Sequence, residues 1–152
     1  AKRRAGTENL PQIVGLAEAV TLANQYRDEN NVHLMNLKNL FLVSLQERSI
    51  PFELNGSMTD STGHIVNLYL PFIDVETMLT LLDLSNIYVS SGSACTAGTT
   101  TPSHVLKAMY DEEDERAKHS VRFSFNEQTT EQGIKYIATE IHKIYHKFKE
   151  EV

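Results

Sequence analysis

The sequence predicts an α+β domain, a small and mainly antiparallel sheet with helices packed on one face. Two observations lead there. Segments with apolar residues three and four apart occupy both ends of the chain, and four short β-branched and aromatic runs lie between them, set off by turn residues. The size agrees: 152 residues make about one domain, and 41% hydrophobic with 22% charged residues is ordinary globular composition.

The elements follow in chain order. Pro11 suits the first turn of a helix, where its missing N–H costs nothing. Ile13, Val14, Leu16, Ala17, Val20 and Ala23 then recur at helical spacing. The pattern pauses at Asn30-Asn31 and resumes with Leu34, Leu37, Phe41 and Leu45, which predicts two helices over about 11–29 and 31–48 with a kink between. A strand is expected at 51–54, closed by the turn pair Asn55-Gly56, and a second at 65–70 after Ser61-Thr62-Gly63. Asp74 caps a helix to residue 84 with the stripe Val75, Met78, Leu79 and Leu82. Further strands are expected at 87–90 and 121–125. A short helix should start at Thr101-Pro102, and residues 111–116, five of them acidic, read as a solvated loop. The last helix starts at Thr129, where Thr129-x-x-Gln132 matches the capping box; its stripe is Ile134, Ile137, Ile141, Ile144, Tyr145 and Phe148.

Composition excludes several functions. The net charge is −6 with no basic face, which argues against a nucleic-acid partner. Apolar runs are broken within a few residues, so no membrane-spanning helix is expected. A single Cys excludes a disulfide framework and a multi-Cys zinc site, and fits a reducing, cytoplasmic setting. His142 and His146 stand at i, i+4, but Lys143 replaces the Glu of a zinc-protease motif and no third ligand is near; a solvated face is expected and no metal. The opening Ala1-Lys2-Arg3-Arg4-Ala5-Gly6-Thr7 has no Met and no apolar run after its basic residues; it reads as the interior of a longer protein rather than a signal peptide.

Residues 90–101 are all Ser, Gly, Ala, Thr or Cys, and they hold the only thiol, Cys95. A strand leads in and a capped helix leads out. Cys95 is either a small buried hydrophobe, the common fate of a free Cys, or a nucleophile on a mobile tether. The tether reading expects residues 92–100 to be the least ordered interior segment, since small side chains repay little of the backbone entropy.

Ser90-Ser91-Gly92-Ser93-Ala94-Cys95-Thr96-Ala97-Gly98, followed by Pro102-Ser103-His104-Val105-Leu106, resembles the active-site loop of cysteine desulfurases of the NifS/IscS type. Arg4-Ala5-Gly6-Thr7-Glu8-Asn9, Pro71-Phe72-Ile73-Asp74 and Val121-Arg122-Phe123-Ser124 also resemble segments of that family, so the likeness runs through nearly the whole chain. The resemblance implies that residues 1–152 are the C-terminal small domain of a fold type I pyridoxal-phosphate enzyme, with the large domain that holds the cofactor lysine absent. It implies removal of sulfur from L-cysteine to leave L-alanine and a persulfide on Cys95. The sulfur would pass to an acceptor protein, an iron–sulfur scaffold or a tRNA-thiolation enzyme.

By the same resemblance Arg122 binds the substrate α-carboxylate, and Thr7 reaches the cofactor phosphate of the partner subunit in a homodimer. Read from the residues alone, Arg122 is more readily a strand-edge arginine in a surface ion pair, and Thr7 is as readily an ordinary residue leading into a helix. This chain alone should bind no pyridoxal phosphate and be inactive. His142-Lys143 and His146-Lys147 lack the Ser-x-His-Lys context of the family's cofactor lysine, and the final residues 149–152 leave the acceptor open. Ser124-Phe125-Asn126-Glu127 departs from a Gly-containing turn common there. A selenocysteine lyase on the same scaffold, and a cofactor-free sulfur carrier or docking module, are the alternatives.

Overall fold

The computed structural model describes residues 6–92, 103–110 and 115–149. The expectations for Cys95, for the Thr101-Pro102 cap and for most of residues 92–100 and 111–116 lie outside them.

Helix α1 runs unbroken over Leu10–Glu47. Asn9 caps it by accepting from Gln12 N at 3.3 Å, and Pro11 sits in its first turn as expected. The expected break at Asn30-Asn31 does not occur. Asparagine costs a helix only a few tenths of a kcal/mol, roughly, and no Gly or Pro stands there to stop it. The apolar stripe pauses for another reason: the first half of α1 leaves the core, with Ile13, Val14, Leu16 and Val20 exposed. Burial starts at Leu37 and continues through Phe41 and Leu45. The helix ends with Ser49 in the left-handed region (φ 54°), Ser49 N bonded to Gln46 O and Ile50 N to Leu45 O.

Three antiparallel strands follow in the order β1 (Glu53–Leu54), β2 (Ile65–Tyr69) and β3 (Ser120–Ser124). β1 is shorter than expected. Alternation turns Val66 and Leu68 of β2 and Val121 and Phe123 of β3 to one face, where they are buried. Phe41 packs edge-on against Phe123 and Phe125, at 4.8 and 5.7 Å between ring centroids. The expected strand at 87–90 is reduced to one bridge, Ser90 with Arg122.

Helix α2 (Val75–Leu84) is capped by Asp74, whose Oδ1 accepts from Thr77 N at 2.9 Å; that bond holds the carboxyl below the usual carboxylate range. Helix α3 (His104–Met109) is capped by Ser103, two residues beyond the expected Thr101 cap. The acidic run expected to be a loop turns helical at its end as α4 (Arg116–His119). Helix α5 (Glu131–Phe148) begins one residue late: Thr130 caps it through Gly133 N at 3.1 Å, while Thr129 Oγ1 is taken up in a turn with Asn126.

Helices α1, α2 and α5 cover the apolar face of the sheet. Met78 and Leu82 of α2 and Ile134, Ala138 and Ile141 of α5 are each fully buried in the one cluster they share with the strands. The turn between β1 and β2 is pressed onto α1. A Cβ on Gly63 would stand 2.7 Å from Met35 N, and buried Lys38 donates to Ser61 Oγ at 2.7 Å. Among the described residues no helix is long and apolar enough to cross a membrane.

Candidate functional site

The face of the sheet away from the apolar cluster carries Asn67 and Tyr69 from β2 and Ser120 and Arg122 from β3. Val121 and Phe123 are drawn into the core, so Arg122 between them must point the other way. It lies in register with Asn67.

Arg122 is also held from its second side. Ser90 N donates to Arg122 O at 3.2 Å, and Arg122 N donates to Ser90 O at 2.7 Å. The side chain is half-buried, and its Nε is shielded from water with no hydrogen-bond partner. A guanidinium N–H buried without an acceptor is costly, about 1–3 kcal/mol, and native folds rarely leave one. Such a group is suited to a ligand with a planar pair of oxygens, which a guanidinium binds with two parallel hydrogen bonds. No surface ion pair involving Arg122 is present among the described residues.

Ser90 links this arginine to the thiol segment. Its Oγ donates to Gly92 O at 3.3 Å, which turns the chain just after the bridge. Cys95 lies 95 − 90 = 5 residues further on. Five residues of fully extended chain span at most about 18 Å between α-carbons. On the downstream side α3 begins at Ser103, whose Oγ accepts from Leu106 N at 3.5 Å.

Thr7 is exposed in the stretch ahead of α1, and among the described residues no hydrogen bond joins it to Arg122. His104 is exposed at the start of α3. His142 and His146 stack edge to face at 4.3 Å, and Nδ1 of His142 is buried without a partner. Burial, then the charges of His146, Arg48 and Lys149, hold the His142 pKa below the ordinary histidine value. Among the described residues no three potential ligands converge to hold a metal. Lys143 is bound to Glu140 Oε1 at 2.7 Å, which raises its pKa and keeps it cationic, the wrong state for covalent work on a carbonyl.

Sequence reasoning missed the main-chain clasp on Ser90, the Asn67 side chain beside Arg122, and Arg116. Asn67 Oδ1 accepts from Asn55 Nδ2 at 2.8 Å, and the same amide donates to Ser120 Oγ at 2.8 Å. No spacing reveals these contacts, because they join residues 12 and 65 positions apart. The available signal was Asn67 itself, a polar residue inside an otherwise apolar strand.

Comparisons with known proteins bear on the family and the fold. The family model described as "Aminotransferase class-V" matches residues 1–137. A Bacillus subtilis (strain 168) protein named "Putative cysteine desulfurase IscS 1" is 46% identical over 92% of the chain and 37% of its own length. The protein named "Cysteine desulfurase IscS" from Pseudomonas entomophila (strain L48) is 38% identical over 97% of the chain and 35% of its own length. A solved structure described as "NIFS-LIKE PROTEIN" superposes with a TM-score of 0.78 at 28% identity, over 94% of the chain and 35% of that protein. The chain thus spans about a third of the length of the relatives it matches.

Proposed function

The chain belongs to the class-V aminotransferase family, and from that premise we propose that residues 1–152 are the C-terminal domain of a pyridoxal-phosphate-dependent cysteine desulfurase. One observation carries the reading: Arg122, whose buried Nε has no hydrogen-bond partner, is clasped through its main chain to Ser90, at the base of the segment holding the sole thiol. The names of the matched relatives support it.

Pyridoxal phosphate, when bound, supplies an electron sink that weakens the bonds around the substrate α- and β-carbons. The residues of this chain do the rest. Arg122 binds the α-carboxylate of L-cysteine and sets its orientation. The Cys95 thiolate attacks the substrate sulfur. A sulfur–sulfur bond forms, the carbon–sulfur bond breaks, and its electron pair stays on the substrate carbon, which takes a proton to become L-alanine. The persulfide on Cys95 then passes to an acceptor protein, an iron–sulfur scaffold or a tRNA-thiolation enzyme.

The described residues fit the cofactor only at its edge. Thr7 offers a hydroxyl suited to a phosphate oxygen, and its exposure ahead of α1 is compatible with reaching the partner subunit of a homodimer. Lys143, bound to Glu140, is unsuited to hold the cofactor. The reading assigns the cofactor lysine to the part of the relatives' length that this chain does not span, so this chain alone should neither hold pyridoxal phosphate nor turn over cysteine, and it assigns the whole protein to the cytoplasm.

In the full-length protein, Cys95→Ser should abolish sulfide release from L-cysteine and leave the cofactor absorbance unchanged, because the remaining groups cannot replace a missing nucleophile. Sulfide release near the wild-type rate would end the assignment of Cys95.

A further inference from the structure

Arg116 stands where the sheet, α3 and α4 meet. It opens α4, yet its guanidinium reaches back across the polar face of the sheet. Nη1 donates to Asn55 Oδ1 at 3.3 Å, and Nη2 pairs with Glu53 Oε2. The same group lies over two rings, 5.1 Å from the centroid of Tyr69 on β2 and 4.5 Å from that of Tyr110, the C-cap of α3. Its side chain is only 20% exposed. Asn55 is itself fixed to Asn67 and Ser120, so the guanidinium rests on a rigid base.

Helix α3 needs such a support. It has six residues, well short of the roughly 12–15 at which an isolated helix becomes even marginal in water. Its only buried residue is Leu106, which with Ala117 of α4 lies outside the main apolar cluster. The fold therefore holds α3 through α4, and α4 through Arg116. A planar cation between two aromatic faces is attracted by both, and its fork leaves in-plane N–H groups for Glu53 and Asn55.

Ser103, the cap of α3, follows Cys95 by 103 − 95 = 8 residues, so α3 is the downstream anchor of the thiol segment, as the Ser90–Arg122 clasp is its upstream anchor. We propose that Arg116 is a positioning residue for sulfur transfer: by joining Tyr110 to Tyr69 and α4 to the β1–β2 turn, it fixes the downstream anchor of Cys95. Its effect on catalysis rests on the desulfurase reading above; its grip on α3 does not.

Hydrogen exchange of this chain and kinetics of the full-length protein test the proposal together. In Arg116→Gln, amides 104–110 should exchange about tenfold faster, the size expected from losing one to two cation–π contacts, while amides 134–144 of α5 keep their rates. Arg116→Lys keeps the charge without the fork and should fall between. In the full-length protein, Arg116→Gln should lower kcat for sulfide release about tenfold at an unchanged KM for L-cysteine, since Arg122 is untouched. Unchanged exchange in α3, equal acceleration in α3 and α5, or an unaltered kcat overturns the proposal. A wild-type protein that releases no sulfide defeats the desulfurase reading instead, and the exchange rates alone then decide whether Arg116 holds α3.

Discussion

Replacing Arg122 with methionine should stabilise the isolated chain and cripple the full-length enzyme. Arg122 Nε is shielded from water and donates to nothing. An orphaned buried donor costs about 1–3 kcal/mol. The side chain is half-buried, so the lower part of that range applies, about 1–2 kcal/mol. Methionine has similar length and no group left to satisfy. The main-chain bonds to Ser90 do not involve the side chain and should survive. With a urea m-value of roughly 2 kcal/mol/M, the unfolding midpoint should rise by about 0.5–1 M. In the full-length protein the same change removes the carboxylate fork. At about 1.4 kcal/mol per decade, loss of a charged hydrogen-bonded contact should raise the KM for L-cysteine about tenfold or more. Opposite signs in the two assays mark a group kept for a ligand rather than for the fold. A lowered midpoint, or an unchanged KM, refutes the reasoning.

Other consequences follow from the same geometry. Ser49→Gly should raise the stability of the chain by about 1 kcal/mol in urea titration, because Ser49 holds a left-handed conformation that glycine adopts without strain; no gain would show that Ser49 is not strained. Gly63→Ala should cost about 1–3 kcal/mol by calorimetry, since the new methyl meets the backbone of α1 at Leu34 and Met35 and neither can yield easily; an unchanged melting temperature would show that the turn is free of the helix. The His142 pKa is lower in the folded state, so the unfolded chain binds more protons below neutrality. The contribution of His142 is complete above its unfolded value of about 6.5 and is lost as the pH falls through the folded value. His142→Gln should flatten the acid-side decline of the midpoint, and an identical slope in the variant would assign that decline to other groups.

Much of this architecture is legible in the sequence because burial and periodicity coincide there. Val121 and Phe123 are buried with Arg122 only half-buried between them, and Ile134, Ile141 and Ile144 of the expected α5 stripe are buried, although Ile137 is only partly so and Ala138, outside the stripe, is buried as well. The reading fails where the two separate. In α1 the apolar residues 13–20 keep helical spacing yet face solvent, so the pause at Asn30-Asn31 marks where the helix leaves the core, not where it bends. Residues 87–90 have strand composition, but hydrogen bonding reaches only Ser90. The Thr129 and Thr130 caps differ by one position because both hydroxyls suit the role, and Asn126 claims the first. At the site, Arg122 carried a recognisable motif. Arg116 did not: it sits in an acidic run, and its carboxylate partner Glu53 lies 63 residues away. Contacts of that range leave no local signal.

The central claim is that Cys95 receives sulfur from L-cysteine bound at Arg122. Intact-mass spectrometry of the full-length protein, mixed with L-cysteine and quenched before an acceptor can act, tests it most directly. One added sulfur atom should appear, removable by thiol reductant, localised to the peptide containing Cys95 and strongly diminished in Arg122→Met. Absence of that mass from the Cys95 peptide while L-alanine accumulates would contradict the claim, because the sulfur would then leave by a route that bypasses this thiol.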